Sequence, residues 1–277
     1  MAEEFKVHGY TLDQLRSMPQ DQLRAILHER THHTIEVLIY RILKGRLEPP
    51  RGFGLVAERL LGLWRERGLP LDAPDIEWCA QLVEAARAIR EGRQPPLEPT
   101  PWESFTPEEA ATVERLIRGR KSIRQFKPEP IPMELVRRVL EAGLWAPQGC
   151  NVGATRFLVL TSPEEQRLVS SDIPLENCVM VVVLQEMAMY QTLGFDKMVP
   201  QNIYYDAAAV ADHICLMAHC LGLGSCWLTH GEETQRRLRE HFNLSPTMTS
   251  RLHIVLGWPD EETVKSGRMG LDEALLN

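Results

Sequence analysis

The amino-acid sequence predicts a layered fold of mixed helices and strands, of the α/β or α+β class, preceded by an all-helical N-terminal segment. Three observations predict it. Apolar residues recur at three- and four-residue intervals in the first part of the chain, a proline-rich stretch follows, and short Val-rich segments then alternate with helical patterns. An alternation of this kind is typical of folds whose helices pack on a sheet, because each apolar face must be buried against another element.

The N-terminal segment is predicted to be helical throughout. Leu23, Ile26 and Leu27 share one face of a helix, and the same apolar spacing continues over residues 35–42. Two further amphipathic stretches cover residues 55–67 and 75–92, separated by glycine and proline residues that are typical of turns. These stretches predict a small helical domain.

A proline-rich stretch ends this segment. Residues 94–101 read QPPLEPTP and contain four prolines in eight residues. Such a stretch stays extended and donates few backbone hydrogen bonds, as linkers do. We therefore predict a helical domain over residues 1–93, a linker over residues 94–105 and a second domain over residues 106–277.

The second domain is predicted to contain the sheet. Thr106 followed by Pro107 and two glutamates is typical of a helix start, and another helix is predicted to begin at Pro132. Residues 178–184 form an unbroken apolar run, which predicts a strand buried on both faces. Further strands are predicted at residues 157–161, 225–228 and 252–256, a buried helix at residues 207–221 and a polar helix at residues 232–242.

Composition and charge exclude several classes of protein. The 277 residues include 31 Lys plus Arg and 38 Asp plus Glu, a formal net charge of −7 that disfavours nucleic-acid binding. The longest purely apolar run is far shorter than the about 20 residues that a membrane-spanning helix needs. The first residues, MAEEFK, are acidic where a signal peptide is basic. We expect a cytoplasmic protein without membrane or nucleic-acid partners.

The six cysteines are expected to be reduced thiols. None is part of a C-x-x-C pair, which zinc and iron–sulfur sites commonly use. Reduced cysteines agree with a cytoplasmic location. The cysteines therefore predict no metal site.

One motif suggests a different class of enzyme. His28, Glu29 and His32 fit the pattern H-E-x-x-H on a predicted helix, where two histidines can bind zinc and the glutamate can serve as a base. The sequence does not determine a third zinc ligand, since Glu48 and Glu58 are both candidates and nothing distinguishes them. These residues can be interpreted as polar residues on a helix face. A zinc hydrolase that uses them as ligands and base is a further alternative.

A basic run after the first helix of the second domain is a candidate phosphate site. Residues 118–124 read RGRKSIR. Arginine offers a bidentate fork to phosphate and serine a directed donor, so a short loop with both can hold a phosphate group. The alternative is a solvated basic face at a helix C-terminus, where cations are favoured in any case.

Two other loops have residues suited to a flat ligand. Residues 145–153 place Asn151 among turn-forming residues, and its amide can both donate and accept hydrogen bonds. Residues 221–228 contain two glycines, which let backbone N–H groups approach a ligand closely. Each loop by itself is also typical of an ordinary connection.

In their order along the chain, these stretches resemble the nitroreductase superfamily of FMN-dependent oxidoreductases. The resemblance covers residues of about 106–270. Its motifs are RKSIRQF, PIP with its helix, APQGCN, the DAAAVA helix leading into GLGSCWL, IVLGWP and a late Lys265-Ser-Gly-Arg268. The resemblance implies an α+β fold, with an antiparallel-rich sheet flanked by helices and a homodimer that binds FMN at the subunit interface.

The resemblance also implies a set of cofactor-binding residues and no particular catalytic side chain. The loop of Arg120, Lys121, Ser122 and Arg124 corresponds to the one that holds the FMN phosphate and ribityl chain, and Arg268 with Lys265 to a further basic contribution. Asn151 corresponds to the asparagine near the isoalloxazine ring, Gly224 and Ser225 to the backbone at its N5/O4 edge, and Gln148 stands in the same loop as Asn151.

The activity implied is hydride transfer from NAD(P)H through flavin N5 to a small organic acceptor. The chain departs from the family pattern at Gln148, where serine is usual, at Gly153-Ala154-Thr155 in place of Q-P-W, and at Asp212-His213 in place of Gln-Asn. The first 100 residues have no counterpart in the family core. These departures leave two other activities open. In one, the flavin oxidises a substrate with dioxygen as the acceptor; in the other, the flavin itself is cleaved. An alternative is a flavin-binding sensor or partner-docking module without turnover.

Overall fold

The computed structural model describes residues 5–98, 100–169, 177–264 and 266–276. The chain divides into two compact units. The first consists of Met1–Glu103, Pro147–Ala154 and Gln185–Asp206, and the second of Ser104–Ala146, Thr155–Leu184 and Ala207–Asn277. Two segments from the later part of the sequence thus belong to the first unit. The division into domains at residues 94–105 stays a prediction.

The elements before residue 104 are mainly helical, as predicted, with a short hairpin at their start. The sequence pattern did not predict the hairpin or the π-helical turn that lies between the helices of residues 20–31 and 37–43. In order, they are β1 (Lys6–Val7), β2 (Tyr10–Thr11), α1 (Leu12–Ser17), α2 (Gln20–Thr31), a π-helical turn (His32–Glu36), α3 (Val37–Leu43), α4 (Leu55–Glu66) and α5 (Pro74–Arg90).

The core of the first unit forms where the apolar faces of these helices meet. Leu23, Ile26 and Leu27 of α2 are fully buried, as their spacing predicts. Trp64 of α4 is also buried, and its indole N–H donates to the carbonyl oxygen of Pro70 over 2.8 Å. The indole therefore packs in the core without leaving its polar atom unsatisfied.

The elements after residue 104 alternate between helices and strands. In order, they are α6 (Pro107–Gly119), α7 (Met133–Leu144), a 3₁₀ turn (Gly149–Asn151), β3 (Thr155–Leu160), α8 (Pro163–Gln166), β4 (Val179–Glu186), α9 (Met187–Thr192), α10 (Phe195–Met198), α11 (Asn202–Cys220), β5 (Gly224–Thr229), α12 (Glu232–Phe242), β6 (Met248–Gly257) and α13 (Leu271–Ala274).

Four of the strands form one sheet in the order β3-β4-β6-β5. Strands β5 and β6 are antiparallel, with Gly224 opposite Gly257. Strand β4 lies inside the sheet, and its alternate residues enter two different apolar clusters, Val181 with Val183 in one and Met180 with Val182 in the other. Burial on both faces explains why the sequence of this strand is apolar without alternation.

The predicted helices and strands of this part are confirmed within a few residues. Thr106 caps α6 in a reciprocal pair with Glu109, as the helix-start pattern predicts. Strands β3, β5 and β6 include the predicted segments almost completely, and the apolar helix is α11. The fold is α+β, as predicted. Within the described ranges, no helix has the length and apolar character to cross a membrane.

Candidate functional site

A cleft of about 870 Å³ in the second unit collects basic side chains. Two segments line it, the end of α6 with the loop that follows, and the segment that follows β6. The first contributes Arg118 from α6 and Arg120, Lys121, Ser122 and Arg124 from the loop, and the later segment contributes Thr263, Val264, Ser266, Gly267 and Arg268. The structure therefore brings together the residues predicted to bind phosphate, except Lys265, which lies outside the described residues.

Three arginines of this cleft have no carboxylate partner among the described residues. Within the part of the chain that the structure describes, Arg118, Arg120 and Arg124 form no ion pair. Lys121 Nζ donates instead to a neutral acceptor, the carbonyl oxygen of Thr263, over 2.6 Å. Uncompensated cations in a concave site attract an anion with several oxygen acceptors, such as a phosphate.

The loop is held against the edge of the sheet. The Ile123 backbone N–H donates to the carbonyl oxygen of Ser225 over 2.9 Å, and Ser122 pairs with Ser225 as in a parallel strand. The approach is so close that a Cβ atom on Gly224 would lie 2.8 Å from Cβ of Ile123. Glycine at position 224 is therefore required for the loop to reach strand β5.

A carboxylate from the segment after β6 fixes the other side of the loop. Glu261 Oε1 accepts hydrogen bonds from the backbone N–H groups of Arg124 and Gln125, the latter over 3.3 Å. Because the carboxylate is engaged by the backbone, it orders the loop. No local sequence pattern indicates Glu261, since 137 positions separate it from Arg124.

A second cleft of about 500 Å³ contains the glycine-rich segment of β5. Gly224 and Ser225 line it, and Lys121 and Thr263 line both clefts. His219 of α11 also lines it; burial lowers the pKa of His219, and the Arg120 guanidinium lowers it further. His219 therefore favours its neutral form, which can accept as well as donate a hydrogen bond.

One buried hydroxyl at the junction of these clefts has no partner. Thr263 Oγ1 is inaccessible to solvent and forms no hydrogen bond with any described residue. Buried polar atoms are nearly always hydrogen-bonded, so an atom of this kind indicates a missing ligand or water. Together with the cations, it shows that the donor set fits a phosphorylated ligand.

The remaining predicted residues, Gln148 and Asn151, belong to the first unit. Gln148 Oε1 is buried without a hydrogen-bond partner among the described residues. Asn151 has a left-handed backbone with φ of 51°. The Gly149 N–H between them donates to Asp206 Oδ1 over 3.0 Å. This loop is therefore ordered by a buried carboxylate that sequence analysis did not select.

The H-E-x-x-H pattern does not form a metal site. His28 Nε2 lies 2.7 Å from Asp75 Oδ2, and His32 Nδ1 lies 2.7 Å from Glu36 Oε2. Glu29 is paired with Arg30 and, over 2.8 Å, with His8. The described residues contain no group of three side chains that could hold a metal ion. His28 and His32 stay one helical turn apart, with the His32 backbone N–H donating to the His28 carbonyl oxygen, so the zinc hypothesis fails on the partners of these side chains and not on their spacing.

The Glu29 ion pairs predict a dependence of stability on pH. Burial alone would raise the pKa of Glu29, but hydrogen bonds from His8 and Arg30 outweigh it and lower the pKa to about 2. Its stabilising contribution, on the order of 2 kcal/mol, should be present above pH about 4.5 and be lost as the pH falls toward 2. In urea unfolding between pH 7 and 3, the difference between the wild type and Glu29→Gln should therefore shrink.

The matched control for that experiment is Glu77→Gln, which removes an exposed carboxylate of α5. Its free energy of unfolding should stay close to that of the wild type at every pH. A difference for Glu29→Gln that remains constant from pH 7 to pH 3 would contradict the assigned ion pairs.

Comparison with known proteins identifies the chain. The family model of the nitroreductase family matches residues 117–177 and 172–258, about half of the sequence. The chain belongs to the nitroreductase family. The resemblance predicted from the motifs is confirmed, and the cationic loop, the Asn151 loop and the glycine-rich strand all fall inside the matched residues.

Relatives of this nitroreductase-family chain match its later part. A protein of Archaeoglobus fulgidus, named for NADH dehydrogenase and NAD(P)H nitroreductase activities, is 27% identical over 154 residues, which are 53% of this chain and 86% of that protein. A solved protein of Bacteroides thetaiotaomicron with the same description is 22% identical, covers 60% of this chain and 97% of its own, and has a TM-score of 0.52. The second match supports the α+β fold.

A nitroreductase of Desulfovibrio desulfuricans, solved in complex with FMN, is 28% identical to this chain. The match covers 63% of this chain and 98% of the solved chain, with a TM-score of 0.49.

Proposed function

We propose that this protein is an FMN-dependent oxidoreductase that passes hydride from NAD(P)H through flavin N5 to a small organic acceptor. The observation that supports the proposal is the cluster of cations without a carboxylate partner among the described residues, in the loop that the family resemblance assigns to phosphate. A phosphorylated flavin is the ligand that this family and this donor set have in common. FMN supplies the hydride chemistry when bound, and the protein supplies binding, orientation and electrostatics.

In this proposal, the basic cleft binds the phosphate end of the cofactor. Arg120 and Arg124 donate to the phosphate oxygens, Ser122 and Thr263 add hydroxyl donors, and Arg268 contributes from the later segment. Lys265 is proposed to help them by the family resemblance. Glu261 keeps the loop in place through the backbone N–H groups of Arg124 and Gln125.

The reactive end of the cofactor is assigned by the family resemblance. The backbone of Gly224 and Ser225 is proposed to face the N5/O4 edge of the ring, where a donor stabilises negative charge that develops on reduction. Asn151 and Gln148 are proposed to donate and accept at the ring's polar edge. The proposed reaction needs no side chain as a covalent nucleophile.

A homodimer is the proposed assembly. Helix α6 has no buried residue. Even Val113 and Ile117, on its apolar face, are 49% and 56% exposed. An amphipathic helix gains stability by burying its apolar face, and a second copy of the chain can provide the surface. Light scattering should therefore give twice the mass of 31.6 kDa.

The proposed activity is tested by the visible spectrum of the purified full-length protein under anaerobic conditions. A flavin spectrum that bleaches with NADPH or NADH and recovers with an organic acceptor is the expected result. A bound flavin that neither donor reduces would instead favour a sensor or docking module. A protein that takes up no FMN would contradict the proposal.

A further inference from the structure

Residues of the N-terminal helices hold the loop that contains Asn151. His28 of α2 is 98% buried in the protein, since its exposed fraction is only 2%. Its Nδ1 lies 2.8 Å from the carbonyl oxygen of Asn151. A carbonyl oxygen can only accept, so Nδ1 carries a proton and donates it to this hydrogen bond. The contact joins two positions that are 123 residues apart in the sequence.

Contacts with Asp75 and Trp78 fix the other side of the His28 ring. Nε2 lies 2.7 Å from Asp75 Oδ2, and Arg24 Nε donates to the same oxygen over 2.6 Å. Burial would raise the pKa of Asp75, but the close contacts with His28 and Arg24 outweigh it and hold the pKa well below its usual range. Trp78 packs edge-on against the imidazole, with ring centroids 5.9 Å apart. The orientation of His28 is therefore determined by its surroundings.

The loop needs such support because its backbone is strained. Cys150 and Asn151 both have left-handed φ values, 52° and 51°, although neither is glycine. This backbone conformation is unfavourable for residues with a side chain, and the surrounding contacts must offset its cost. Asp206 accepts from the Gly149 N–H at the start of the loop, and His28 donates to Asn151 at its centre.

The departure from the family pattern at Gly153 agrees with this arrangement. Gly153 has φ of 70°, and a Cβ atom there would lie 3.8 Å from Cε1 of His28. A residue with a side chain would be strained at this φ, and its side chain would start in contact with the imidazole. Glycine in place of the family's glutamine thus permits the backbone conformation in which this loop contacts His28 of the N-terminal helices.

We propose that His28, oriented by Asp75 and Arg24, is a positioning residue for Asn151, so that the N-terminal helices set the conformation of a loop that the family resemblance assigns to the flavin. The inference rests on the proposed function, because the family resemblance places Asn151 near the isoalloxazine ring. It assigns a role to the part of the chain that has no counterpart in the family core. The extension sets the conformation of a cofactor-binding loop.

Three variants of the full-length protein separate the two contacts of His28. In His28→Asn, the side-chain amide nitrogen falls near the position of Nδ1, so the bond to Asn151 can be kept while the contact with Asp75 is lost. In His28→Gln, the amide nitrogen reaches the position of Nε2, so the contact with Asp75 is kept and the bond to Asn151 is lost. His28→Ala removes both.

Cys150 reports the state of the loop without any cofactor. Its thiol is half-buried and lies 3.1 Å from His33 Nε2. Burial raises the pKa of Cys150, and the carboxylates of Glu29 and Asp206 raise it further, so reaction with a thiol reagent should be slow. Mass spectrometry of the labelled peptides should show labelling of Cys150 about tenfold faster in His28→Gln and His28→Ala than in the wild type and His28→Asn.

Cys79 of α5, which is fully buried, is the control for unfolding and should stay unlabelled in all four proteins. Titration with FMN should then give a Kd about tenfold higher for His28→Gln than for His28→Asn, together with a shifted flavin absorption band. Equal labelling of Cys150 in the two variants, or equal FMN affinity and spectrum despite unequal labelling, would overturn the inference. A wild type that binds no FMN would refute the proposed function, and the labelling ratio would still decide whether His28 holds the loop.

Discussion

Replacing Arg120 and Arg124 together by alanine is expected to lower the affinity for FMN by about 100-fold. Each charge-assisted hydrogen bond to a phosphate is worth about 1.5–3 kcal/mol, and both side chains are partly or fully exposed, so the lower end of that range applies to each. Neither guanidinium has a carboxylate partner among the described residues, so their removal leaves no orphaned charge in the protein. Flavin fluorescence quenching on titration measures the change.

Riboflavin makes this experiment specific for phosphate. Because riboflavin lacks the phosphate group, its affinity should be close to equal for the wild type and the double variant. The matched control is Arg16→Ala with Arg236→Ala, which removes the same two charges from exposed positions of α1 and α12. An equal loss of FMN affinity in the control would assign the effect to net charge and contradict the proposed phosphate site.

Replacing Gly224 by alanine is expected to lower the affinity for FMN by about tenfold, because the displaced loop loses a charge-assisted contact worth about 1.5 kcal/mol. The added Cβ atom would lie 2.8 Å from both Cβ and Cγ2 of Ile123, which anchors the loop. Overpacking of this kind also lowers the free energy of unfolding by about 1–3 kcal/mol. FMN titration and urea unfolding measure the two effects.

A double-mutant cycle tests whether the contact with Ile123 is the cause. Ile123→Gly removes the clashing atoms, so the combined variant should lose less affinity than the sum of the two single losses. Gly231→Ala is the control, since nothing lies within 4 Å of a Cβ atom at that position. Additive losses in the cycle would show that Gly224 acts through something other than the approach of the loop.

Much of the fold could be predicted from local sequence. The helix face of Leu23, Ile26 and Leu27 is buried because residues at these intervals lie on one side of a helix. Strand β4 was predicted from its unbroken apolar run, which reflects burial on both faces. The π-helical turn at His32 could not be predicted in this way, since no residue type specifies it. The H-E-x-x-H hypothesis was wrong for a different reason, because His28, Glu29 and His32 each contact another side chain.

The residue types of the candidate site were predicted from the sequence, but the residues that hold its loops in place were not. Arg120, Lys121, Ser122 and Arg124 were predicted from a contiguous basic run, and the structure brings them into one cleft with Arg268. The residues that hold this loop and the Asn151 loop, Glu261 and Asp206, were missed. Each acts on a loop far away in the sequence, so no spacing or composition within a window indicates it.

The sequence by itself determined which segments form helices and strands, which loop is basic, and to which family the chain belongs. These properties depend on residues near one another in the chain, or on motifs whose order is preserved. Only the tertiary structure decided that Glu261 orders the basic loop and that His28 donates to Asn151. The reason is geometric: a hydrogen bond between residues more than a hundred positions apart exists only after the whole chain has packed.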